Sequence, residues 1–495
     1  MAYINMSGYS ASVTIPTFEG LMQYGDGVNG DPRYAVEAVN MATPGGVLQP
    51  AGAHQLLPPQ LDNPIRSLTR LYRRWHVQSD EREVLIAASG GQLYWMLAGG
   101  TVWQKLDMPE GFGKSGYDSD EWSSVTYEIN PEGSTAPVDV LLMSNAKDGM
   151  VCIRGDDMTV TVVPTPKKFG VITRYAERIW GGAIDDDPDM LVYSAPFDPF
   201  DWNARTDIPE DGAGDIQQPS WDGDSFTALV PFGSQLLAFK ETRVWRILGT
   251  DPGEYAFKEQ YGGGVTYPAT VAVDAERVLM LGDDGVVRYD GVSVEPYYQQ
   301  YAQGVFRRMN SEPNTACACY WKDAYYLALP LDGAQMNNAV LIYNAIDKTW
   351  LLREGVYVEA FLPLDDELYF TSATTPGRMW RWGRDCFTEG TAASPCLWVG
   401  PWLEFNRKDV SKSNFTLYFT AEVARSMVLS VSIETEKKIK TKQIALTPAL
   451  TGGVRQKRVL FSGTGRRFRI RISSEENVPW RLLGGAYISL EVDED

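Results

Sequence analysis

Residues 84–106 read VLIAASGGQLYWMLAGGTVWQKL. Two short apolar runs are cut at Gly90-Gly91 and again at Gly99-Gly100. Glycine supplies the positive φ that tight hairpin turns demand, so the stretch predicts three short antiparallel strands. Residues 138–163 (VDVLLMSNAKDGMVCIRGDDMTVTVV) repeat the grammar, with turns at Lys147-Asp148-Gly149 and Gly155-Asp156-Asp157. It returns over 172–194, 226–249, 271–291, 317–352 and 358–383.

These are seven units between about residues 64 and 388, spaced by about 46 residues. A repeated four-stranded sheet of about 40–50 residues is the signature of a β-propeller blade. One such sheet cannot bury both faces alone, whereas a ring of them stacks face to face and leaves only short edges. Fifteen Trp and 25 Tyr provide the wide side chains that inter-blade packing uses. The expected fold is all-β: a propeller of seven blades, with six as the alternative, over residues 64–395. Trp-Asp does not recur as a blade mark; Trp221-Asp222 stands once.

Residues 1–63 are rich in Gly, Pro and small polar residues and predict an extended arm with a few strands, one of which could complete the last blade. Residues 296–309 (PYYQQYAQGVFRRM) are the helical candidate, between blades, weakened by Gly304. From residue 396 the pattern changes. The runs 415–423, 427–435, 466–474 and 486–494 alternate cleanly and predict a C-terminal antiparallel β-sandwich over 396–495. The charge changes with it. Residues 398–495 hold 16 Lys+Arg and 11 Asp+Glu, net +5, which leaves −24 on residues 1–397 of a chain with net charge −19. Such an acidic chain is poorly suited to gripping nucleic-acid phosphates over its whole surface. Arg467, Arg469 and Arg471 share one strand face, either as a solvated face or as a contact for a polyanion or partner.

The composition, 44% hydrophobic and 22% charged over 495 residues, is that of a folded chain with a large core. No apolar run is long enough for a membrane-spanning helix, and the N-terminus lacks the basic start and apolar core of a secretory signal. No membrane insertion is expected. Five cysteines, Cys152, Cys317, Cys319, Cys386 and Cys396, suit reduced thiols in a protein made in a cytosol. Cys317 and Cys319 alternate with Ala316 and Ala318 as buried strand residues do. Only His54 and His76 are present, which argues against a His-based metal cluster.

Motifs that could carry chemistry fail on context. Gly25 to Gly30 (GDGVNG) matches the dinucleotide GxGxxG, but the preceding apolar stretch is short and Pro32 follows, so a turn is expected. Gly111-Phe112-Gly113-Lys114-Ser115 ends like a phosphate loop, yet Met108 replaces the required first glycine and no helix follows. Three acidic clusters are the serious alternative: Asp185-Asp186-Asp187 with Asp189, then Asp118, Asp120 and Glu121, then Asp222 and Asp224. Paired carboxylates can hydrolyse glycosides, and oxygen-rich turns can bind Ca²⁺. Each cluster lies in a turn, where Asp is favoured for its local hydrogen bonds, so solvated loop carboxylates are the expectation. The Ser-x-Asp-x-Gly-x-x-Trp repeat of sialidases and the G-x-S-x-G elbow are both absent. No catalytic residue, cofactor or metal site is therefore assigned.

The chain resembles the tail hub family of short-tailed bacteriophages, also called nozzle or DNA stabilisation proteins. The resemblance rests on Ala38, Asn40, Gly45-Gly46-Val47-Leu48 and Pro50-Ala51-Gly52; on RIWGG (178–182), LVYSAPFDPFDWN (191–203), 224–249 and 278–291; and on the closing strands 462–474 and 479–492. It implies a virion protein, not an enzyme, assembled in the host cytoplasm as a hexameric ring below the portal and head–tail adaptor. It also implies contacts with fibres, spikes or needle, and genome DNA passing through the ring during ejection. An acidic wall would then repel the phosphates of sliding DNA. The rivals are a carbohydrate-active propeller enzyme or lectin, with carboxylates about 5–10 Å apart in an axial pocket, and a monomeric propeller that docks peptides. The arm and the basic C-terminal sandwich are the expected contact regions, the latter against the acidic body of a neighbour or the adaptor.

Overall fold

A computed structural model of the chain describes residues 3–494 apart from 8–9, 26, 77, 110–118, 132–135, 219–222, 262–263, 275, 384–394, 406 and 450–453. Among the described residues, seven antiparallel sheets form the blades of a closed propeller, numbered here in chain order. Blade 1 holds Ile65–Tyr72, Glu83–Ser89, Gln92–Leu97 and Gln104–Lys105; blade 2 holds Ser123–Ile129, Val138–Asn145, Gly149–Arg154 and Val160–Val163. Blade 3 runs from Val171–Tyr175 to Gly214–Gln217, blade 4 from Phe226–Phe232 to Ala256–Tyr261, and blade 5 from Ala272–Val273 to Val294–Pro296. Blade 6 holds Cys317–Trp321, Ala324–Leu329, Ala339–Asn344 and Thr349–Glu354. Blade 7 contributes Ala360–Pro363, Leu368–Thr371 and Arg378–Arg381, and takes its fourth strand, Gln55–Gln60, from the N-terminal arm.

Burial follows position within a blade. Second strands are covered on both faces by neighbouring blades and on both edges by their own sheet, so Val138–Asn145, Gln235–Lys240 and Ala324–Leu329 are buried throughout. Fourth strands such as Gly214–Gln217 and Val294–Pro296 lie at the rim and are largely exposed. Every seam between blades has an apolar filling. Leu71, Ile86, Leu141 and Val151 join blades 1 and 2. Leu61, Leu85, Leu362 and Met379 close the ring between blades 7 and 1. Cys317 and Cys319 are buried at the seam of blades 6 and 7, as their alternation predicts. The helical candidate is realised as two short turns, Gln299–Ala302 and Gln303–Phe306, between blades 5 and 6.

The C-terminal region forms two packed sheets, but the arm supplies strands to both. Tyr3–Ser7 and Ser10–Ile15 add to Trp480–Glu494, Val410–Val423 and Arg455–Gly465 in one sheet. In the other, Glu37–Val39 pairs parallel with Thr349–Glu354 of blade 6 and antiparallel with Cys396–Val399. Phe468–Ser474, Met427–Thr435 and Ile439–Leu446 follow, so blade 6 and the sandwich share one continuous nine-stranded sheet. Asn40 locks the joint. It sits at φ +54, a left-handed value that Asn tolerates better than most residues. Its side-chain Nδ2 donates to the Pro395 carbonyl at 3.0 Å, and its Oδ1 accepts the Glu354 N–H at 3.0 Å. One apolar core runs from the seam of blades 5 and 6 through Trp350, Phe18 and Trp398 into the sandwich. The rings of Phe18 and Trp398 meet edge to face at 5.2 Å.

Candidate interaction surfaces

The acidic cluster at 185–189 is paired with lysines, and Asp120 and Asp224 are held by backbone N–H groups. Asp185 pairs with Lys147 at 2.5 Å, Asp186 with Lys167 at 2.8 Å, and Asp189 with the fully buried Lys240 at 2.5 Å. Asp187 accepts from Gln217 at 3.0 Å. Asp120 accepts the Gly91 N–H at 2.9 Å, and Asp224 accepts the Glu241 and Thr242 N–H groups at 3.0 and 3.1 Å. Local turn bonding is thus what these carboxylates do. Asp118, Trp221, Asp222 and the stretch 111–115 lie outside the described residues. Among the described residues, no three His, Cys, Asp or Glu are grouped to hold a metal ion. Gly25 and Gly27 take φ values of +77 and +68 in a turn bridged to Trp402, with no helix after it, so the GxGxxG stretch has no dinucleotide geometry.

A cleft of about 730 Å³ opens between blades 1 and 7. Its carboxylates are also engaged: Arg70 reaches Glu83 at 3.2 Å and Asp365 at 3.4 Å, Lys322 holds Asp366 at 3.0 Å, and Arg381 holds Glu367 at 2.6 Å. His54 is buried nearby against Phe370 and Trp382. Burial, and after it the charge of Arg353, holds its imidazole well below the ordinary 6.5.

The arginine row is spent within the sandwich. Arg469 and Arg471 reach Glu434 at 2.8 and 3.3 Å, while Arg467 and Arg469 lie over the Trp402 ring at 4.8 and 4.5 Å. Burial alone would raise the Glu434 pKa; the two guanidiniums override it and hold the carboxyl below its usual range.

Free basic charge sits elsewhere, on the outermost strand of the nine-stranded sheet. Among the described residues, Ile439–Leu446 pairs only with Met427–Thr435, and its other edge has no strand partner. Lys437, Lys438, Lys440 and Lys442 are exposed there, and Arg455, Lys457 and Arg458 line the adjacent strand of the other sheet. Residues 437–446 and 455–461 contain these seven bases and no acid. None of the seven forms a salt bridge with a described carboxylate. Ile439 and Leu460, each 52% exposed, lie on the outer faces of the two sheets, Ile439 opposite Glu434 and on the other side of its strand from Lys440 and Lys442. The KKIKTK run (437–442) was the available signal for this edge, hidden by summing charge over the whole domain.

A second surface rises from blade 3, where residues 194–213 connect its third and fourth strands. The fully buried Arg178 pins both ends of this loop from below, donating to the carbonyls of Ser194 at 2.8 Å, Gly212 at 2.6 Å and Glu210. Trp202 anchors the middle against Phe169, with ring centres 5.3 Å apart. On this fixed base Phe197 stands 75% exposed at φ +59, its N–H bonded to the Glu177 carbonyl at 2.9 Å. A bulky side chain at such a φ costs about 1–3 kcal/mol, which the surrounding bonds must offset. Phe200 and Ile208 of the same loop are also exposed. The loop carries five acids, Asp198, Asp201, Asp207, Glu210 and Asp211, against Arg205 alone. The blade 4 turn holding Asp251 and Glu254 adjoins it.

No protein-family model matches this chain, and no curated protein does. Among solved structures, it is similar to the WD40 domain of Neurospora crassa Pan2, at a TM-score of 0.35 and 9% sequence identity, over 67% of this chain and 98% of that one.

Proposed function

We propose that the chain is a structural subunit of a bacteriophage tail, a hub or nozzle that assembles as a ring around the DNA exit channel below the portal and adaptor. The observation that carries this reading is the unbroken sheet and core linking propeller to sandwich through Glu37–Val39, Trp350 and Trp398. A part that passes contacts from an adaptor to distal tail proteins gains from having no hinge, and two lobes sharing backbone hydrogen bonds and one close-packed core have little freedom to swing. The ion-paired carboxylates of the 185–189 cluster and of the cleft also favour a mechanical role over glycoside chemistry, which needs a protonated acid and a free carboxylate. In this reading the net −24 of residues 1–397 keeps DNA phosphates from adhering as the duplex slides.

The test is the mass of the purified protein by light scattering at several salt concentrations, together with its incorporation into virions. A ring of several copies that enters virions supports the proposal. A monomer that binds or cleaves a polysaccharide overturns it in favour of the carbohydrate-active alternative.

A further inference from the structure

We infer that the lysine edge of the sandwich docks onto the acidic, aromatic loop of blade 3 in a second copy of this chain. The choice of a second copy rests on the ring reading; the two surfaces are features of the chain itself.

Lys437, Lys438, Lys440 and Lys442 form a basic patch, and Asp207, Glu210 and Asp211 form an acidic one on a loop that also exposes Phe197 and Ile208. No side chain of either patch forms a salt bridge with a described residue; the opposite charges beside them are Glu436, next to Lys437, and Arg205, which pairs with Asp201 at 3.2 Å. They cannot easily meet within one chain. The sandwich grows from blade 6, and the loop belongs to blade 3, with blades 4 and 5 between them on one side and blades 7, 1 and 2 on the other. Two different, complementary patches on opposite sides of one molecule make a head-to-tail contact, the type that propagates around a ring. Rigidity strengthens the case. Arg178 fixes the loop in advance, so little ordering cost falls on association.

Lysines on an open strand also guard against edge-to-edge aggregation. The two roles separate on charge sign, because glutamate guards an edge as well as lysine does. The experiment therefore uses the full chain carrying Lys438→Glu, Lys440→Glu and Lys442→Glu, a second variant carrying Asp207→Lys, Glu210→Lys and Asp211→Lys, and the combination of both sets. The side chains of Asp207, Glu210 and Asp211 make no bond within the described structure, so reversing them leaves the loop's scaffold intact. Sedimentation velocity over a concentration series gives the association constant, and circular dichroism checks the fold of each variant.

Each single set is expected to weaken association by about tenfold or more, as close charge pairs across interfaces do, and the combined chain to recover most of it. Zero-length cross-links between residues 437–442 and 207–211 should join isotopically distinct chains. Unchanged association in both single sets, or no recovery in the combined chain, overturns the contact. If the reversed variants still enter virions as rings, this contact is wrong and the tail reading stands. If the native chain neither self-associates nor enters virions, both fall.

Discussion

Blades 6 and 7 are neighbours that finish their rims in opposite ways. Blade 6 passes its fourth strand, Thr349–Glu354, directly to Glu37–Val39 and so into the sandwich. Blade 7 has only three strands of its own and borrows Gln55–Gln60, a strand with Pro58 and Pro59 and a register shift against Arg378 and Trp380. Proline lacks the N–H that a ladder needs, so it belongs on a rim. The first arrangement makes a joint between lobes, whereas the second makes a latch on the ring. Both depend on the same short piece of arm, residues 37–60, so the joint and the latch are coupled.

Removing residues 1–60 breaks both at once and should have the largest effect. We expect no closed propeller, seen as loss of cooperative unfolding by calorimetry. Trp398→Ala attacks the joint alone. Trp398 is fully buried against Phe18, and truncating such a side chain costs about 3–5 kcal/mol. The result should appear in labelling of buried thiols. Burial pushes Cys396 up to about 11 and Cys152 up to about 12. In Trp398→Ala, Cys396 beside the joint should become reactive at lower denaturant than Cys152 in blade 2; equal midpoints would mean that the lobes still unfold as one.

Asn40→Ala should cost about 2–3 kcal/mol, from two lost side-chain hydrogen bonds and a left-handed backbone that alanine resists. Asn40→Gly should recover the backbone part only, which denaturant midpoints can resolve. The smallest effect concerns the latch. His54 precedes the borrowed strand and stays neutral when folded, while the unfolded chain takes up a proton as pH falls below about 6.5. That penalty is absent above 6.5 and grows below it. His54→Phe should therefore gain about 2 kcal/mol relative to the native chain between pH 8 and pH 5. A pH-independent difference would show that His54 is not the acid-sensitive group of the latch.

These contrasts also mark what could be read from residues alone. Blade grammar is local: Gly90-Gly91 and Lys147-Asp148-Gly149 announce their turns, and unbroken apolar runs such as VLLM and LLAF mark the strands that lie inside. Pairing partners are not local. Glu37–Val39 is three residues long, and nothing in EAV states that it will lie between residues 352 and 398. In the sequence Asn40 is marked only by the family resemblance, yet its contacts give it a physical role. The surfaces divided in the same way. The arginine row at 467–471 is conspicuous by its period but serves internal pairs, whereas the lysines at 437–442 carry the exposed charge. Spacing reveals which side chains share a face, but only the sheet order reveals whether that face has a neighbour.

The route of the arm also bears on synthesis. Ser10–Ile15 leaves the ribosome early but pairs with Ala486 to Glu491, near the end of the chain, and Gln55–Gln60 waits for Arg378–Arg381. Contacts between such distant segments form slowly, because long loops must close first. The propeller cannot close before Arg378–Arg381 is made, nor can the sandwich be completed before Ala486 to Glu491 is. A chain that stops before residue 378 lacks the partner of Gln55–Gln60, and one that stops before residue 486 lacks the partner of Ser10–Ile15 as well.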